Sequence, residues 1–295
     1  TALTRLFEEY LTPLRLVDVE RPPRFVFCAT DNNFAVNWVM TSRVVGSYQA
    51  GYAPTPPEWS LARAVAASSC FPPVFQPMPV GIPPSAFRHG RYGMRGETDR
   101  EEIMKGLSLS DGGLYDNLAL EPAWKDHAVV LAVDGGGPLD ASTGRSPVWR
   151  LKRYTTIMTS QARALRKRWL IANFLDGVMR GVYLGVGSGV DSYRKGARGY
   201  SEVLVREVIS KVRTDLDRFD GAEVQVLQNH GYLLAEEAAQ KHLHDVFPLR
   251  SAEVQPPYEL HLDDEKAVAT ALHGSDETRL PFGRGPWLPY FSFRE

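Results

Sequence analysis

Residues Asp111-Gly112-Gly113-Leu114-Tyr115-Asp116-Asn117 constrain this chain more than any other stretch. They follow Leu107-Ser108-Leu109-Ser110, whose alternation predicts a short strand that delivers Asp111 to a tight turn. Two successive glycines give the backbone conformations that a β-carbon forbids. The Asp111 carboxylate is therefore expected to face an open crevice, with Gly112, Gly113 and Asn117 shaping the turn around it. An acidic residue at the carboxyl end of a strand is where an α/β sheet places a reactive group. Asp-Gly and Gly-Gly are also common turn dipeptides, so the heptapeptide taken alone fits a plain surface turn equally well.

Periodicity supplies the frame around that turn. Residues 24–30 and 129–133 are short β-rich apolar runs bounded by turn residues, the pattern of buried strands in a mostly parallel sheet. Leu61 to Ser68 reads as a short helix stopped by Pro72-Pro73. From Pro79 to Arg100 the chain is rich in Gly, Pro, Arg and His without a stable period, which predicts a long surface insertion and a candidate lid. Beyond Pro147 the character changes. Tyr154, Ile157, Met158, Gln161, Leu165, Trp169 and Asn173 recur at three- and four-residue steps and predict a long amphipathic helix. A further helix is expected over Leu233–His244, and an extended tail from Phe247 with Trp287, Tyr290, Phe291 and Phe293 near its end.

Composition excludes several classes. Lys plus Arg (34) nearly cancels Asp plus Glu (35), so net charge does not point to nucleic acid. At 43% hydrophobic and 23% charged residues the chain can bury a substantial core. No run of about 18 apolar residues offers a membrane span. Two cysteines, Cys28 and Cys70, cannot build a disulfide framework and are expected to be buried small apolar side chains. His, Cys and carboxylates are not grouped at metal-ligand spacing, so neither a metal nor a cofactor is expected. A basic cluster, Arg163, Arg166, Lys167 and Arg168, suits either a solvated helix face or anionic headgroups.

Three blocks occur in an order with a family meaning. Phe25-Val26-Phe27-Cys28-Ala29-Thr30-Asp31, then AVAASSCFPPVFQP (Ala64–Pro77), then DGGLYDNLALEP together resemble the Ala-Thr-Asp, Ala-x-x-Ala-Ser and Asp-Gly-Gly motifs of patatin-like phospholipases. GSYQAGY, QARALRKRWL, RTDLDRF and NHGYLLAEEA resemble a bacterial branch of that family. The resemblance implies a three-layer α/β sandwich with a mostly parallel central sheet, extended by a helical C-terminal region. It divides the chain into residues 1–145, the C-terminal part of the hydrolase domain, and residues 146–295, helical and extended and packed on it. It also implies a lipid acyl hydrolase that cleaves phospholipid or glycerolipid esters through a Ser–Asp dyad, with Asp111 as base. The alternative from another class is a non-catalytic lipid-binding or assembly module on the same fold.

The family's nucleophile sits in a Gly-x-Ser-x-Gly elbow, and that pattern occurs nowhere in the 295 residues. The chain is therefore expected to be the C-terminal portion of a longer patatin-like protein whose upstream segment carries the nucleophile. Its partner is a lipid or membrane-surface substrate, and its expected place is the cytoplasm or the periphery of a membrane, with export left open. Two glycine-rich segments imitate family features. Gly185-Val186-Gly187-Ser188-Gly189 lacks the elbow's spacing and is expected to be a loop without a strong preceding strand. Asp134-Gly135-Gly136-Gly137 resembles an oxyanion loop but lies on the wrong side of the Asp-Gly-Gly block and runs into Pro138. His230 is expected in a helix-initiating turn, and His89 in the solvated insertion.

Overall fold

A computed structural model describes residues 1–72, 75–92, 99–137, 143–144, 146–214, 218–247, 255–258 and 264–277. In chain order the helices are α1 (Ala2–Tyr10), α2 (Leu61–Ser69), α3 (Arg100–Lys105), α4 (Gly113–Asp116), α5 (Glu121–Trp124), α6 (Pro147–Leu175), α7 (Glu202–Glu207), α8 (Gly221–His242) and α9 (Glu265–Ala271). The strands are β1 (Phe27–Asp31), β2 (Val36–Met40), β3 (Val44–Ser47), β4 (Gly51–Pro54), β5 (Met78–Pro79), β6 (Ser108–Asp111), β7 (Val129–Asp134) and β8 (Arg180–Gly185). The aromatic tail residues Trp287, Tyr290, Phe291 and Phe293 lie outside the described residues, as does Pro138.

The expected three-layer sandwich with a mostly parallel sheet does not form. Six strands make one sheet in the order β4-β3-β2-β1-β6-β5, and every pairing in it is antiparallel. Among the described residues parallel pairing is confined to β7 with β8, from Val129 opposite Arg180 to Asp134 opposite Gly185. For β1 to β4 the reason is connection length. A parallel crossover needs roughly a dozen residues or more, whereas an antiparallel pair closes over a few. Asn32–Ala35 joins β1 to β2, Thr41–Arg43 joins β2 to β3, and Tyr48–Ala50 joins β3 to β4. Only β7 and β8 have a long helix, α6, between them.

Contacts divide the chain into two compact units, one of Thr1–Asp126 with Val148–Leu165 and one of His127–Pro147 with Arg166–Glu295. In the first, Ala29, Trp38, Met40, Val45 and Leu109 are buried on the sheet. Helix α2 starts where Ser60 accepts from the Arg63 N–H, and it turns Ala62, Ala64, Ala66 and Ala67 inward. Small side chains let it lie close to β1 and β6. The expected lid is instead tied down as far as it is described. Phe87 is buried edge-on against Trp38 at 5.9 Å, and Arg88 exchanges backbone hydrogen bonds with Tyr52.

In the second unit, α8 packs on β8 through Val226, Leu233, Leu234 and Ala238 against Val182 and Leu184. A capping box starts it: Asp220 accepts from the Glu223 N–H, and Glu223 accepts from the Asp220 N–H. Glu223 also pairs with Arg213, both side chains being fully buried. His230 therefore lies inside a helix and not in the helix-initiating turn expected of it.

Candidate active site

Asp111 is the last residue of β6 and pairs with Ala29 of β1. Its backbone is held from three sides. Its N–H donates to the Cys70 carbonyl at the end of α2, and its carbonyl accepts from Thr30 Oγ1 at 2.7 Å. Thr30 Oγ1 in turn accepts from the Tyr115 N–H at 3.2 Å, so one hydroxyl spans the turn. The side chain is half-buried, and the Gly113 N–H donates to Asp111 Oδ1 at 2.7 Å. Burial pushes the carboxyl above its ordinary range, and the Gly113 hydrogen bond pulls the other way. Among the described residues no serine hydroxyl donates to this carboxylate.

The glycines matter for a reason other than the one their sequence suggests. Gly112 has φ −60° and ψ −29°, and Gly113 opens α4, so both take ordinary helical conformations. What excludes a side chain is proximity. A β-carbon at Gly112 would meet the Cys28 carbonyl oxygen at 2.6 Å, and one at Gly113 would meet Asn117 Oδ1 at 2.6 Å and Asp111 Oδ1 at 2.9 Å. Asp116 is buried and accepts from the Leu118, Leu120 and Glu121 N–H groups, which fixes the exit from the turn. Asn117 ends α4 with its side chain exposed.

A second carboxylate is buried on the neighbouring strand. Asp31, at the end of β1, is 0% exposed and accepts from the Asn33 and Phe34 N–H groups, which closes the β1–β2 turn. Ser47 Oγ approaches Asp31 Oδ2 at 3.4 Å and accepts from the Ala50 N–H at 3.1 Å. Ser47 is 1% exposed. This serine–carboxylate contact is consistent with a dyad, though longer than the usual hydroxyl hydrogen bond of about 2.7–2.8 Å. It equally suits a lock on the β3–β4 hairpin. Burial pushes the Asp31 carboxyl up against three hydrogen bonds that favour its charge. The Ala-Thr-Asp and GSYQAGY blocks carried both residues in sequence, but nothing in their spacing announced that they meet.

The other candidates sort by environment. Cys28 and Cys70 are buried, and burial pushes both thiols up to about 11, which leaves them protonated and unreactive near neutral pH. Gly185–Gly189 does follow a strand, β8, contrary to expectation. Asp134 ends β7 and is buried, accepting from Tyr183 Oη at 2.7 Å and from the Gly136 N–H. His230 Nε2 lies 2.9 Å from the Val186 carbonyl, and burial holds the imidazole below its ordinary pKa. His89 is exposed with φ 62°. Among the described residues no group of three His, Cys, Asp or Glu is placed to hold a metal ion, and no helix is long and apolar enough to cross a membrane.

Comparison with known proteins bears on the same segment. The family model described as Patatin-like phospholipase matches residues 1–124. The match takes in the whole antiparallel sheet, Asp31, Ser47 and the Asp111 turn, and stops before β7. It overturns the expectation that the chain is the C-terminal portion of such a protein: the patatin-like region is the N-terminal part of this chain. QARALRKRWL, RTDLDRF and NHGYLLAEEA fall outside it. No curated protein and no solved structure matches the chain.

Proposed function

We propose that the protein serves as a lipid acyl hydrolase, cleaving acyl esters of phospholipids or glycerolipids, with Asp111 as the base of a Ser–Asp dyad. The observation that carries this reading is a half-buried carboxylate at a strand end, inside the segment similar to patatin-like phospholipases. A serine alcohol is a weak nucleophile near neutral pH and needs a base within hydrogen-bond reach. Partial burial tunes a carboxylate towards that task, and the Gly113 N–H holds Oδ1 while leaving Oδ2 to accept the proton. The serine oxygen attacks the ester carbonyl while its proton passes to Asp111. The tetrahedral intermediate then expels the alcohol, which takes that proton. Water, deprotonated by the same carboxylate, attacks the acyl-serine ester, and the departing serine oxygen takes that proton as the fatty acid is released.

No hydroxyl donates to Asp111 among the described residues, and the 295 residues hold no Gly-x-Ser-x-Gly. On this reading the nucleophile is a serine that labelling must locate. A second reading rests on the Ser47–Asp31 contact, which places a serine and a carboxylate together within the chain. A patatin-like module that binds lipid without hydrolysing it is the third. Fluorophosphonate labelling followed by mass spectrometry separates them. Label on a serine other than Ser47, lost together with hydrolysis in Asp111→Asn, supports the first reading. Label on Ser47 replaces it with the second. An absence of label from a protein that binds lipid leaves the third.

A further inference from the structure

The long helix presents its apolar side to solvent. Leu151, Tyr154, Met158, Leu165 and Trp169 fall within an arc of about 60° on a helix of 3.6 residues per turn. All five are exposed, Met158 by 65% and Leu165 by 61%. An apolar stripe on a stable helix ordinarily faces a core, and this one does not. The charge of the helix is as one-sided as its hydrophobicity. Between Pro147 and Leu175 there are seven Lys and Arg residues and no Asp or Glu, in a chain whose net charge is −1. Arg150 and Arg168, five turns apart, lie one above the other beside the apolar arc, both exposed.

We infer that this face of α6 docks on an anionic lipid surface. The charge selects the occupant. A second copy would bring seven cations against seven, and residues 278–295 carry Arg279, Arg284 and Arg294 against Glu295 alone. Both are poor complements. An anionic bilayer satisfies the two features together: its headgroups attract the arginines, and its acyl boundary takes Leu151, Met158 and Leu165. Trp169 and Tyr154 suit the interface between those layers, each with an apolar ring and a polar edge. The choice of a bilayer over an acidic protein rests on the lipid-substrate reading above. The docking itself is a separate property, read from a different part of the chain.

The test uses the whole purified protein and vesicles of phosphatidylcholine, alone or in equimolar mixture with phosphatidylglycerol. Because Cys28 and Cys70 are buried, Met158→Cys directs a thiol-reactive NBD fluorophore to the centre of the stripe. Flotation should recover at least about tenfold more protein with the anionic vesicles, and the NBD emission should shift to the blue and intensify. The Arg150→Glu/Arg168→Glu variant should lose about tenfold in binding, and Leu165→Glu should lose both binding and the spectral shift, with circular dichroism unchanged. Equal recovery on neutral vesicles, or binding without an NBD response, overturns the proposal. So does an NBD response to poly-glutamate and none to vesicles, which would make the partner an acidic polypeptide. Asp111→Asn should bind vesicles as the parent does. Binding retained without hydrolysis in the parent sinks only the dyad; hydrolysis of a dispersed short-chain ester without vesicle binding sinks only the docking surface.

Discussion

Substituting Gly113→Ala tests how the Asp111 carboxylate is set. Gly113 is helical, so alanine suits its backbone and gains up to about 1 kcal/mol there. The added methyl, however, would stand 2.9 Å from Asp111 Oδ1, inside van der Waals contact. Its other close neighbour, Asn117 Oδ1, belongs to an exposed side chain that can turn away. The carboxylate must therefore swing off the Gly113 N–H. A hydrogen bond to a charged group contributes about 1.5–3 kcal/mol, which is roughly a 10- to 100-fold change in the protonation equilibrium. The sign follows from the role of the bond. It favours the charged carboxylate, so its loss leaves burial unopposed and the carboxyl keeps its proton to higher pH. Carboxyl 13C NMR titration should show the Asp111 midpoint moving up, and the acid limb of the hydrolysis profile should move with it. A displacement of about 1 Å at a catalytic base should also lower the rate by roughly 100-fold, with thermal stability almost unchanged. A midpoint that stays or falls, together with a rate within about threefold of the parent, would refute the placement of Gly113 as the group that sets Asp111.

Two further outcomes concern buried charge. Asp31→Asn keeps an acceptor for the Asn33 and Phe34 N–H groups and removes a desolvated carboxylate. The raised pKa of Asp31 makes the parent lose stability as pH climbs from the ordinary Asp range through the folded value, so urea denaturation should find the variant more stable near neutral pH and the difference gone in acid. If Asp31 serves a dyad, the same variant loses hydrolysis; under the Asp111 reading it keeps it. Arg213→Ala leaves Glu223 buried without its cation and should cost about 3–5 kcal/mol by urea denaturation; a loss under about 1 kcal/mol would show that the pair is hydrated in solution.

How much of this was legible in the sequence depended on what each signal encodes. The turn at Asp111 and the helix α2 followed from local chemistry, an alternating strand before two glycines and a short run stopped by Pro72-Pro73. Strand direction did not, because an apolar run says that a strand is buried and not which way its neighbour runs. That information sat in the short links between β1 and β4, one of them marked by Asn32-Asn33 and reaching φ 54° at Ala35. His230 was misplaced although a signal existed: Asp220-Gly221-Ala222-Glu223 is a capping box and begins α8 well before it. Along α6 the periodicity identified which residues share a face, but periodicity is silent on what covers that face. The glycines of the turn were read as conformational specialists, yet their constraint is contact across β1 and with Asp111, which only three dimensions reveal.

The sheet order also bears on how the site comes into being during folding. Strands β1 to β4 form a meander in which each pairs with its sequence neighbour, so three hairpins can close over links of a few residues. The pairing of β1 with β6 is different: it joins Asp31 to Leu109 across everything between them. Closing so long a loop is slow relative to hairpin formation, and it is the step that brings Asp111 to Thr30. A chain that has completed its meander is already ordered yet still holds its carboxylate in solvent. Asp111 is thereby fixed only when the non-local part of the sheet has formed, and a nick between β4 and β6 would spare the hairpins while dissolving its turn.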